Sequence, residues 1–273
     1  MNKKDVKDIL TWLGIAVLGG SLVAGGTMFV FDAIDSHHAK ISEGLPLLHG
    51  GIHLKKGEHK VVITDQFYKL LSYDTPQEDQ DLVVNAFKEA YKNLNKYNTG
   101  VNFKLCTTSE EASEKFNLPI TESFKNDDIK LYATDGIINN NKNVLAATDW
   151  DYDFFTYEMK DLSINFKKDK LFSVWKVYDT VEETLSPYNA AAYTVAAHET
   201  MHAMGFAHVD DEESIMNTYV KYKSPKDFTE YDKKIMDKYN VVFYGATATY
   251  SENVKNKTEN SLQFDDYTSD MSM

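Results

Sequence analysis

The chain has 273 residues, 42% of them hydrophobic, enough to bury one sizeable core, and one domain with flanking segments is the economical reading. Its 29 basic against 42 acidic side chains give a formal charge of −13, which argues against a phosphate backbone as partner, since nothing would replace its counterions; no nucleic acid is expected. Cys106 is the sole cysteine, so an intrachain disulfide, a cysteine-rich zinc knot and a thiol redox pair are all excluded.

The first strong feature is the uncharged apolar run from Ile9 to Phe31, long enough to cross a hydrocarbon core of about 30 Å as a helix. Lys3, Lys4 and Lys7 precede it, and Asp32 and Asp35 come after it. That bias predicts a single-pass signal-anchor over residues 1–31, with the N-terminus cytoplasmic and the remainder extracytoplasmic at the cell membrane. A cleaved signal peptide, giving a secreted protein, is the rival: Val23-Ala24-Gly25 offers small residues, but the apolar run continues past them. Residues 32–60 are polar and mixed, with Gly50-Gly51, and read as a juxtamembrane stalk. Its histidines, His37, His38, His49, His53 and His59, are irregularly spaced, so solvated side chains without a role are expected.

A folded domain is expected over 61–245. The β-branched run Val61 to Thr64 predicts an opening strand. Val83, Phe87, Tyr91 and Leu94 then recur at helical spacing, predicting an amphipathic helix from about Gln80 to Tyr97. Further strands are expected at Val101 to Cys106, Ile129 to Thr134, Val144 to Ala147 and Leu162 to Phe166. Strand, helix, then several strands give an α+β domain: a mixed twisted sheet with a covering helix. Cys106 closes one strand and reads as a small buried hydrophobe.

Ser186-Pro187 is a good helix start, and Ala190, Tyr193, Ala197, Met201 and Met204 recur on one face of the helix it opens. On that helix His198 and His202 stand four residues apart, so their imidazoles rise from adjacent turns and can chelate one ion, with Glu199 beside them. Gly205 ends the helix and allows a sharp turn that can return His208 as a third nitrogen ligand. Three histidines leave the fourth position of tetrahedral zinc to water, the arrangement of a catalytic rather than a closed structural site. Zinc there would acidify that water and polarise a scissile carbonyl, and Glu199 would act as general base, later passing the proton to the leaving amine.

The stretch from His198 to His208 reads HETMHAMGFAH and resembles the metzincin signature HExxHxxGxxH; Ser214-Ile215-Met216-Asn217 looks like its Met-turn. The step from His208 to Met216 resembles the matrixin branch. The resemblance, which covers about Val61 to Gly245, implies a zinc metalloendopeptidase domain with an active-site helix and a C-terminal helix. It also implies a cleft between an upper sheet and a smaller lower part, Met216 as a hydrophobic base for the metal, and an extended peptide or protein as substrate. Asp227 to Tyr239 looks like the matrixin C-terminal helix, with Thr229 and Asp232 as a capping box. Tyr219 is a weaker candidate oxyanion stabiliser, one residue further from Met216 than in the metzincins that use such a tyrosine.

The chain also departs from the family. It shows no counterpart of the histidine- and aspartate-rich segment that holds a second, structural zinc in many matrixins, and no pro-segment cysteine to mask the catalytic ion. Asp149, Asp151 and Asp153 invite a calcium reading. Phe154 stands where an EF-hand loop needs Gly, however, and Lys160 where it needs Glu, so solvated carboxylates are expected, with a family-style Ca2+ site as the alternative. Asp210, Asp211, Glu212 and Glu213 read as a solvated acidic loop. The polar tail, 246–273, is expected to be disordered; its Asn256-Lys257-Thr258 matches a glycosylation acceptor only weakly. The reading from a different class is a surface binding or adhesion module that keeps the metal for structure and is catalytically silent; Glu199 argues against it, because a structural site gains nothing from that carboxylate.

Overall fold

A computed structural model describes residues 45–48, 51–97, 99–136, 138, 144–173, 190–218 and 228–244. The predicted membrane segment Ile9 to Phe31, the helix start at Ser186-Pro187, Tyr219 and the polar tail lie outside these residues. No helix among the described residues is long and apolar enough to cross a membrane.

The elements run in the order β1 (Gly57–Ile63), α1 (Asp65–Ser72), α2 (Gln77–Leu94), β2 (Val101–Thr107), α3 (Glu110–Phe116), β3 (Ile129–Thr134), β4 (Ala146–Tyr152), β5 (Met159–Lys167), α4 (Lys168–Ser173), α5 (Ala190–Met204) and α6 (Glu230–Tyr244). The strands form one sheet in the order β2-β1-β3-β5-β4. The first four in that order are parallel and β4 pairs antiparallel with β5, so the sheet is mixed and the fold α+β, as expected. β4 is an outermost strand.

Period-two burial makes the sheet a platform. Along β3, Ile129, Leu131 and Ala133 are buried, and along β5 Leu162, Ile164 and Phe166 are fully so. Helix α2 covers it, burying Val83, Phe87, Tyr91 and Leu94 at the spacing read from the sequence. Phe87 lies 5.1 Å from Phe166, ring centre to ring centre, and Phe67 of α1 meets Phe166 edge-on at 5.8 Å. Helix α5 packs between α2 and the β4–β5 edge. Its Tyr193, Ala197, Met201 and Met204 are fully buried, and the Tyr193 hydroxyl accepts a hydrogen bond from Asn93 of α2 at 3.0 Å. Cys106 is buried, and that burial pushes its thiol up to about 11, as fits a small hydrophobe rather than a nucleophile.

Three features differ from expectation. β4 runs from Ala146 to Tyr152 rather than Val144 to Ala147, because Trp150 and Tyr152 alternate with the aspartates and keep the strand going. The short helices α1, α3 and α4 are additional to the predicted elements. The first two are each nucleated by a side-chain cap: Thr64 Oγ1 accepts from Phe67 N at 3.1 Å, and Ser109 Oγ from Ala112 N at 3.3 Å.

The third difference lies at 51–60, where the described end of the stretch read as a stalk packs into the domain and takes His53 and His59 with it. β1 begins at Gly57, and Ile52 and Leu54 are fully buried. The Leu54 backbone is clasped by α6: its N–H donates to Tyr239 Oη at 3.0 Å and its carbonyl accepts from Tyr244 Oη. His53 stacks on Phe243 at 4.2 Å. His59 is 1% exposed, with its ring nitrogens 2.9 Å and 2.7 Å from the carbonyl oxygens of Asp127 and Lys55. Apolar residues spaced among glycines and lysines carry no period, so this packing leaves no local signature. His37, His38 and His49 lie outside the described residues.

Candidate metal centre

Helix α5 ends where Gly205 takes φ +104°, a conformation L side chains rarely adopt. Gly205 N donates to His202 O at 2.9 Å and Phe206 N to Met201 O at 3.0 Å, the paired bonds that close a helix through a left-handed residue. The chain then turns back and brings His208 to the other two histidines. Ahead of β1, Leu45–Leu48 runs alongside this turn: Leu48 N donates to Gly205 O and Ala207 N to Pro46 O, both at 2.8 Å.

The three Nε2 atoms form a triangle with sides of 3.1, 3.1 and 3.2 Å. The opposite nitrogens settle their chemistry. His198 Nδ1 is 2.6 Å from Ile215 O and His202 Nδ1 is 2.7 Å from Phe206 O. A carbonyl oxygen only accepts, so each Nδ1 carries the proton and each Nε2 presents a bare lone pair. Burial lowers both imidazoles to about 4, helped by mutual repulsion among the three rings, and lowers His208, the exposed member, below its ordinary value. Neutral imidazoles with converging lone pairs are what a metal ion requires. Tetrahedral zinc with Zn–N bonds of 2.0–2.1 Å needs nitrogens about 3.3–3.4 Å apart, close to this triangle, and the donor set fits it.

The Met-turn braces the triangle through two backbone carbonyls. Met216 is fully buried, and its carbonyl accepts from Val209 N, one residue past His208, at 3.0 Å. Ile215, beside it, gives its carbonyl to His198. The turn is held in place by Asp232 of α6, whose Oδ1 accepts from Ser214 Oγ at 2.5 Å and whose Oδ2 accepts from Ile215 N at 3.2 Å. Asp232 Oδ2 also accepts from Thr229 N at 2.9 Å while Asp232 N donates to Thr229 Oγ1 at 3.1 Å, the expected capping box.

Glu199 is 6% exposed, and desolvation by burial raises its carboxyl above the usual range, opposed by the neighbouring His202 and by Thr148. Thr148 Oγ1 lies 2.7 Å from Glu199 Oε2 and 2.9 Å from Glu199 O. Sequence reasoning missed Thr148. The available signal was alternation along β4, which puts this polar side chain on the same face as buried Ala146.

The structure does not gather Asp149, Asp151 and Asp153. Asp149 Oδ2 accepts from Asn165 Nδ2 at 2.9 Å, Asp151 pairs with Lys160 at 3.7 Å, and Asp153 Oδ1 accepts from the backbone N–H groups of Phe155 and Thr156. These turn bonds, Thr156 first, hold the Asp153 carboxyl below the usual range. Asp210 to Glu213 are exposed, as expected. Among the described residues one further group, His59, Asp127 and Asp128, has ligand-type atoms close together. There Asp128 already accepts from Lys60 N at 2.8 Å and Lys125 N at 2.7 Å, so the cluster ties β1 to the loop before β3.

A mixed sheet packed on a helix that bears HExxH, with a third histidine returned by a glycine turn and a buried methionine turn bonded to it, defines a metzincin-type domain. The family model described as Matrixin matches residues 59–240. The chain belongs to the matrixin family, and its His198, His202 and His208 fit the zinc-binding motif of these metalloproteases. A search of curated proteins found no match.

Proposed function

We propose that this chain is a zinc metalloendopeptidase, held at the cell membrane by its N-terminal segment with the catalytic domain outside, in which His198, His202 and His208 hold the metal and Glu199 is the general base. The observation that carries the reading is the triangle of converging Nε2 atoms, two of them left bare because backbone carbonyls hold the proton on the far side of their rings. Zinc, when bound, supplies Lewis-acid polarisation of a carbonyl and acidification of water. Glu199 takes a proton from the attacking water and returns it to the leaving amine nitrogen. Its burial suits the task, because desolvation raises the carboxyl above the usual range and strengthens its hold on a proton. The substrate is an extended peptide or protein segment, for which β4 offers an outer edge. The membrane anchor is supported by the uncharged run from Ile9 to Phe31 and the lysines ahead of it.

The test is zinc content and peptide-library cleavage for the full-length protein in mild detergent, wild type against Glu199→Gln. The expected result is one zinc per chain in both, with kcat lower in the variant by about 100-fold or more. Zinc without cleavage in wild type would favour the silent binding module, and absence of zinc would overturn the metal assignment.

A further inference from the structure

We propose that Thr148 is a positioning residue for Glu199: its hydroxyl holds Oε2 of the carboxylate and leaves Oε1 as the atom that takes the proton. The inference rests on the reading of Glu199 as general base and adds a role that the zinc motif does not contain.

The geometry ties the sheet edge to the carboxylate itself. Thr148 stands on the outermost strand, with the β4–β5 register setting its Cα opposite Ile164. Its side chain faces α5, which packs on this edge of the sheet. Its single hydroxyl proton has two acceptors on one residue, the Glu199 carboxylate at 2.7 Å and the Glu199 carbonyl at 2.9 Å. The carbonyl lies inside Ala190–Met204, where the helix itself supplies a donor from Ala203 four residues on, so it has no need of a second. The carboxylate is the stronger acceptor, and a charge-assisted bond to it is worth roughly twice a neutral one. Among the described residues none donates to Oε1, so the two oxygens are inequivalent: one is fixed to the sheet and the other is open for proton transfer.

That inequivalence matters because a base works only when held within hydrogen-bond reach of the proton it removes, and a displacement of about 1 Å costs on the order of 100-fold. A glutamate side chain has three rotatable bonds, and helix α5 fixes only where it starts. Thr148 fixes where it ends. The contact also couples the base to β4, so the strand along which a peptide would lie is the strand that aims the carboxylate.

The experiment uses the zinc-loaded full-length protein in mild detergent and compares Thr148→Val, which keeps the shape and removes the hydroxyl, with Thr148→Ser, which keeps the hydroxyl. The expected result is a fall in kcat of about tenfold to a hundredfold for Thr148→Val at unchanged KM and unchanged zinc content, with Thr148→Ser restoring most of it. A second readout is free of catalysis. In a double-mutant cycle with Glu199→Ala, which removes the acceptor, the shifts in urea midpoint should be non-additive, as for groups in direct contact. If Thr148→Val does not fold, Thr148→Ala is read in its place. Should wild type cut and Glu199→Gln abolish cutting while Thr148→Val keeps full kcat, or should the urea shifts simply add, the positioning role is overturned and the protease reading stands. If wild type itself binds zinc and cuts nothing, both fall together.

Discussion

Gly205 meets two demands that no other residue meets together. Its φ of +104° is strained for any L side chain, and a Cβ there would lie 2.0 Å from the carbonyl oxygen of Ile52. Gly205→Ala should therefore cost about 1–3 kcal/mol in backbone strain alone, with the clash added, and should loosen His208 from the triangle. A lower urea midpoint and weaker zinc retention against a chelator would check both parts; an unchanged zinc affinity would show that His208 is returned by something other than this turn. The histidines and the glycine were legible in the sequence, because a four-residue step on a helix and a glycine at its end have only a few geometric outcomes. Thr148 was not legible. Alternation gives its face, but that this face meets Glu199, 51 residues further along the chain, is decided by packing.

At the scale of elements, α6 acts through its first turn. Asp232 caps its own helix and, with the same two oxygens, holds Ser214 and Ile215 of the Met-turn, whose Ile215 carbonyl orients His198. Asp232→Ala leaves several buried donors without an acceptor, so a loss on the order of 3 kcal/mol or more is expected in denaturant unfolding. Because the effect passes through the carbonyl that fixes a metal-facing imidazole, zinc affinity should drop about tenfold or more as well. Loss of stability with zinc affinity intact would uncouple the two. The capping box was readable as Thr229 followed three residues later by a carboxylate; the reach of that carboxylate into the Met-turn was not. α1 and α3 were illegible for a related reason: short capped helices show too little period to stand out, although Phe67, Tyr68 and Leu71 lie buried along α1.

For the whole molecule, the histidine triangle makes stability depend on pH. Burial lowers His198 and His202 to about 4 in the folded chain, whereas the unfolded chain keeps the ordinary value near 6.5. Between those values the unfolded state binds protons that the folded state refuses. The metal-free protein should therefore lose stability as pH falls from about 6.5 towards about 4 and level off below, which melting curves across that range would register. Saturating zinc should raise Tm at neutral pH by binding only the folded state, and the gain should shrink on acidification as protons compete for Nε2. The sheet, its covering helix and the active-site helix were all visible from residue spacing. The packing of Ile52 to His59 into the core was not, because its buried residues have no period and Leu54 finds its partners on α6, 185 and 190 positions away in sequence.

That packing has a mechanical side. The stretch from Leu45 to Leu48 is zipped to Gly205–Ala207 by two backbone bonds, so a load borne by that stretch passes directly to the turn that returns His208. A tug there peels against the short loop between the second and third histidines before it strains the sheet. In a protein hung from its N-terminal side, the tether and the grip on the metal would share one seam.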